Sequence, residues 1–173
     1  SFRALLYRQT HSITIKIKKM KQRIDLQEKG QKVFKAMYGL RKYLAESQIE
    51  EPLLNLIYFR VSQINGCAFC LDMHAKDLRA AGEAEQRLYG MDAWREAPYY
   101  SDRERAALAW AEAVTLIADT RVPDEAYEAA KSEFTEEELI DLTVAVNTIN
   151  SYNRFNIAFR VPAGDYQPGA FAL

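Results

Sequence analysis

Asn65-Gly66-Cys67-Ala68-Phe69-Cys70-Leu71-Asp72-Met73-His74 holds both cysteines of the chain and one of its two histidines. Asn65-Gly66 is a strong helix breaker, whereas Leu71 to Ala81 is rich in helix formers and ends at Gly82, a carboxy-terminal capping residue. The pattern predicts a helix from about Cys67. At about 100° per residue, Cys67 and Cys70 lie roughly 60° apart and His74 falls about 20° from Cys67, so all three share one face. Cys67 then sits in the first turn, where unpaired N–H groups and the helix dipole favour a thiolate. Cys70 lies one turn before His74, within reach of an imidazole that takes or relays a proton. Such surroundings lower a thiol pKa from about 8.5 to about 3.5–7.5.

Three chemistries fit a Cys-x-x-Cys pair. Structural zinc wants four ligands, and Cys67, Cys70 and His74 leave one place for Asp72 or another carboxylate, His11 being far away in the chain. Two packed thiols can also be inert, because free cysteine behaves as a small apolar side chain. The sparse ligand set favours a dithiol/disulfide centre and leaves the other two open.

Outward from this motif the hydrophobic period is helical from Leu26. Val33, Met37, Leu40 and Leu44 form a stripe, and Pro52 starts a second helix through Leu54, Ile57, Tyr58 and Val61 that delivers the chain to the thiol loop. Ala84 to Leu88 makes a short turn of helix. Ser101 with Glu104 has capping-box spacing before a helix to about Asp119; Pro123-Asp124 opens another, and Thr135 with Glu138 repeats the box before a long helix to about Phe159. No alternating run after Met20 competes, so the fold class is all-α. Asn147, Asn150, Asn153 and Asn156 interrupt the last helix every three residues. Because each step lags by about 60°, the row spirals. Some of these amides are expected at a subunit contact and others at the thiol cavity. For Tyr152 and Arg154, as for Trp94, Tyr99, Tyr100 and Trp110, packing is the expected role.

A chain of 173 residues with 49% hydrophobic content suits one globular domain. No run approaches the eighteen or more apolar residues of a membrane span. Residues 1–24 carry seven of the 23 basic residues and no acid, leaving 16 basic against 24 acidic in the body. An acidic body argues against nucleic-acid binding. Residues 1–19 are expected to be a basic extension outside the core, residues 20–168 the helical domain and 169–173 a tail. Ser12 to Lys18 alternates apolar and polar residues and could add to a neighbour as a strand or arm. Closely spaced cysteines without a recognisable secretory signal place the expected site of action in a reducing cytoplasm.

The run Arg60-Val61-Ser62-Gln63-Ile64-Asn65-Gly66-Cys67-Ala68-Phe69-Cys70-Leu71-Asp72-Met73-His74, continuing to Ala80-Ala81-Gly82, resembles the signature of AhpD-like alkylhydroperoxidases in the carboxymuconolactone decarboxylase superfamily. Asn153 to Pro162 resembles the last helix of the short members. The resemblance implies an all-helical subunit of about six to seven helices that assembles as a homo-trimer or homo-hexamer. It also implies a thiol-dependent peroxidase that needs no cofactor. Cys70 would be the peroxidatic thiol, Cys67 the resolving thiol and His74 a relay member, with a hydroperoxide as substrate and an external dithiol as reductant. One position departs from the pattern: Asn55 stands twelve residues before Cys67, where the family usually has a relay glutamate. An amide cannot exchange a proton as a carboxylate does. Glu51, one turn earlier, could reach the same cavity, although a carboxylate at a helix start beside Pro52 is ordinarily solvated. A redox-responsive oligomeric protein without efficient turnover is the alternative that Asn55 raises.

Overall fold

The computed structural model describes residues 20–171; the basic extension, with its alternating stretch 12–18, lies outside them. Among the described residues there are nine α-helices, one short 3-10 turn (Met91–Ala93) and no strand. They are α1 (Leu26–Lys29), α2 (Gln31–Ala45), α3 (Glu51–Asn65), α4 (Ala68–Ala80), α5 (Glu85–Tyr89), α6 (Asp102–Thr115), α7 (Ile117–Thr120), α8 (Asp124–Glu133) and α9 (Glu136–Phe159). The helices beyond the expected six or seven are one-turn pieces. The helix expected to run to Asp119 breaks at Leu116 and resumes as the four-residue α7. Both capping boxes form, Ser101 with Glu104 on α6 and Thr135 with Glu138 on α9.

Helix α3 is central, packed against α4, α6 and α9. Leu56, Ile57 and Val61 are fully buried on it, and each such side chain contributes roughly 1.5–3 kcal/mol. Arg60 points towards α6, where its Nε donates to Glu112 at 2.9 Å; Trp94 Nε1 donates to the same carboxylate at 2.8 Å. Trp110 Nε1 donates to Thr143 and ties α6 to α9. Arg23 donates to the carbonyl of Ala158, placing a cation at the electronegative end of α9.

Helix α2 forms as expected but leaves most of its apolar stripe uncovered. Of the stripe Val33, Met37, Leu40 and Leu44, only Leu44 is buried, while Val33 and Leu40 are exposed. The helix meets α9 through Phe34, whose ring stacks on Tyr152 and tilts against Phe155, so much of the stripe faces out of the subunit.

The corner between α3 and α4 positions the thiols. Gly66 ends α3 at φ 67, a left-handed conformation that is costly for residues with a Cβ. The backbone N–H groups of Gly66 and Cys67 return to Gln63 and Ser62, closing α3 with a Schellman-type cap. From α9, Asn153 donates to Ser62 Oγ at 3.1 Å, and the Asn65 amide donates to the side-chain oxygens of Asn150 and Asn153, both at 2.9 Å.

Residues 164–171 lie along α4. Lys76 donates to the carbonyls of Gly164 and Tyr166, Asp72 accepts from the Gly164 N–H, and Asp77 accepts from the Tyr166 hydroxyl and the Gly169 N–H. Arg41 donates to the carbonyl of Phe171 at 2.7 Å and fastens this strap to α2. Asn153→Ala should cost about 1–3 kcal/mol in urea unfolding, because Ser62 and Asn65 lose a buried partner. A loss below about 0.5 kcal/mol would show that the corner holds without it.

Candidate active site

Cys67 is the N-cap of α4, one position ahead of the first turn where the sequence placed it. Its Sγ accepts the backbone N–H of Cys70 at 3.3 Å, as an N-cap oxygen would. The two cysteines are joined by a disulfide with a Cα–Cα separation of 5.3 Å, within the ordinary range for such bonds. Their exposures are 1% and 0%. Asn156 on α9 donates from Nδ2 to Cys70 Sγ at 3.2 Å.

His74 follows one turn after Cys70 on α4, with its ring 5.5 Å from that of Tyr58 on α3. It is buried, and its Nε2 has no hydrogen-bond partner. Burial, helped by the like charge of Arg41, pushes its pKa down to about 3, so the imidazole is neutral at physiological pH. Tyr58 is pushed up to about 12 chiefly by burial, with Arg41 partly opposing the shift.

Asn55 is half-buried on α3, one turn before Tyr58, and among the described residues its side chain makes no hydrogen bond. Glu51 is exposed in the first turn of α3. Asp72, considered as a fourth zinc ligand, is instead bound by Lys76 and the Gly164 N–H. No three His, Cys, Asp or Glu side chains among the described residues converge on one metal position.

The asparagine row divides. Asn150 and Asn153 serve the corner from within the subunit, Asn156 meets the sulfur, and Asn147 is exposed. The site therefore adds Asn156 and Tyr58 to Cys67, Cys70 and His74, with the charge of Arg41 acting on Tyr58 and His74. Two surface clefts, of about 280 and 420 Å³, include neither cysteine nor His74. The thiol site is a buried junction of α3, α4 and α9.

Residues 31–113 match the family model described as carboxymuconolactone decarboxylase. The chain is 46% identical to the uncharacterized protein YdfG of Bacillus subtilis (strain 168), over 80% of this chain and 95% of that one. It is an AhpD-like member of the carboxymuconolactone decarboxylase superfamily. In structure it is similar to ATU0492 from Agrobacterium tumefaciens, a protein of unknown function whose name offers antioxidant defence protein AhpD as a suggested role. The TM-score is 0.81 at 42% identity, covering 84% of this chain and all of that one. The debrominase Bmp8 shares the fold alone, with a TM-score of 0.69 at 19% identity over 80% of this chain and 74% of that one. No described helix is long and apolar enough to cross a membrane.

The depressed pKa of His74 has a testable consequence for stability. Its folded pKa, about 3, lies below the unfolded value of about 6.5, so between these limits only the unfolded state binds the proton. This contribution to stability is complete above the upper limit and is lost as pH falls through the window. The slope reaches about 1.4 kcal/mol per pH unit. Urea unfolding of the oxidised protein between pH 7 and 4 should show this slope, and His74→Gln should lack it. Equal slopes in the two proteins would assign the effect to another group.

Proposed function

We propose that this protein is a thiol-dependent peroxidase, or a closely related thiol–disulfide oxidoreductase, that reduces hydroperoxides through Cys67 and Cys70. The observation that carries this reading is the Cys67–Cys70 disulfide at the start of α4, with His74 one turn beyond it. The Cys70 thiolate attacks the terminal peroxide oxygen, the O–O bond breaks, and the departing alkoxide takes a proton and leaves as alcohol. Cys70 is then a sulfenic acid. The Cys67 thiolate attacks its sulfur, the S–O bond breaks, and hydroxide leaves and is protonated to water as the disulfide forms. An external dithiol returns two electrons and two protons.

His74 suits the opening step as a neutral imidazole, which can accept the Cys70 proton. A thiolate formed beside it supplies an opposite charge and favours the imidazolium. Asn55 and the exposed Glu51 leave this relay without its usual carboxylate. That observation favours the second reading, a redox-responsive oligomer whose disulfide forms without efficient turnover.

The proposal includes assembly as a homo-trimer or homo-hexamer. Val33, Tyr38 and Leu40 on α2 and Ile140 and Ile157 on α9 are large apolar side chains exposed on the single subunit, suited to contact with further copies. Light scattering should give a mass of three or six subunits; a monomer across dilute and concentrated samples rejects the assembly.

For the chemistry, mild peroxide should remove both thiols of the reduced protein, and a dithiol should restore them. Cys67→Ser should trap a sulfenic acid on Cys70, while Cys70→Ser should react slowly. Two thiols that survive prolonged peroxide in the folded protein would end the redox reading. Full oxidation with negligible turnover under saturating reductant selects the redox-responsive alternative.

A further inference from the structure

Each sulfur of the couple accepts one N–H, and the two donors come from different parts of the chain. Cys67 takes the backbone N–H of Cys70, at the amino terminus of α4 itself. Cys70 takes the side-chain amide of Asn156, on α9, at 3.2 Å. A disulfide sulfur carries no proton, so only the N–H end of the Asn156 carboxamide can face it favourably. The amides one and two steps earlier in the row, Asn153 and Asn150, are engaged at the α3–α4 corner.

We propose that Asn156 is a catalytic hydrogen-bond donor that holds the Cys70 sulfur as a thiolate, making Cys70 the nucleophile towards peroxide and the sulfur released when a dithiol opens the disulfide. This inference rests on the thiol–disulfide chemistry proposed above. Cys70 is fully buried, and burial alone disfavours a thiolate. A neutral disulfide sulfur is a weak acceptor, whereas a thiolate is a charged one. The same N–H is therefore worth more once the charge has formed, which is the condition for assisting a reaction and not merely packing a core.

The reductive half-reaction uses the same contact. A donor thiolate attacks Cys67 Sγ and forms a mixed disulfide. The Cys67–Cys70 bond breaks, and its electron pair leaves on Cys70, where Asn156 receives the charge. The second donor thiolate then displaces Cys67, which takes up a proton, and the donor departs as a disulfide. A leaving thiol of lower pKa departs faster, so the Asn156 hydrogen bond directs attack to Cys67.

The test titrates each sulfur separately. Cys67→Ser and Cys70→Ser proteins, each with and without Asn156→Ala, are alkylated with iodoacetamide across pH, and circular dichroism checks the fold. Asn156→Ala should raise the Cys70 pKa by about one unit, a roughly tenfold loss of thiolate at pH values below it. Cys67 should not move, since its donor is backbone. Asn156→Asp, nearly isosteric but carrying a carboxylate in place of the donor, should shift Cys70 further in the same direction and serves if the alanine variant does not fold. An unmoved Cys70 in folded variants, or an equal shift of both sulfurs, overturns the proposal. Alkylation reads acidity and not peroxide turnover. A parent protein without peroxidase turnover therefore rejects the peroxidase reading, while a selective Cys70 shift still supports the role of Asn156.

Discussion

At the corner between α3 and α4, Asn65 donates to two asparagines of α9, and one of them, Asn153, donates onward to Ser62 without any exposure to solvent. Buried amides are costly when unpaired, so this network has a low-energy form only when α9 sits in one register against α3. That register governs the geometry of the thiol site. It holds the end of α3 where the left-handed Gly66 can turn the chain, sets the first residue of α4, and brings Asn156, one turn beyond Asn153, against Cys70. Structural and chemical asparagines thus lie on one helix, separated by a single step of the same spiral.

The electrostatics of the site arise from burial. Cys67, Cys70 and His74 are all withdrawn from water, which disfavours every charged form among them. Offsetting this are two N–H donors, one on each sulfur, and the partial positive end of α4 beside Cys67. The charge of the Arg41 guanidinium opposes a protonated His74 and eases ionisation of Tyr58 and Tyr152. A site of this composition suits an anionic sulfur better than a cationic imidazole. Arg41 also fastens the strap of residues 164–171, so the segment lying along α4 and the charge that opposes a protonated His74 share one side chain.

Much of the architecture could be read from the sequence because it rests on local rules. The two capping boxes, Pro52 at the start of α3 and the break at Asn65-Gly66 act within a few residues, and each forms as expected. Helix pitch puts Cys70 and His74 on one face of α4, whereas Cys67, extended at the N-cap, is held beside Cys70 by the cap and the disulfide. The α2 stripe had a helical period, but a period reveals that a face is apolar and not what covers it; in the subunit most of that face is open.

What the chain pattern could not settle was contact between distant segments. A row of four asparagines on α9 was visible, yet which amide met the sulfur depended on the rotation and register of α9 against α3 and α4, and that is fixed by packing across 86 residues of chain. Arg41 gave no local signal, and Tyr58 read as one more apolar position on α3; only the folded arrangement packs Tyr58 against His74 and lets the Arg41 charge act on both rings. The sequence determined the helices and the identity of the thiol pair through short-range hydrogen bonding and periodicity. Tertiary structure decided which donors face each sulfur and how deeply His74 is desolvated, because hydrogen bonds to charge and burial depend on neighbours that helical spacing does not specify.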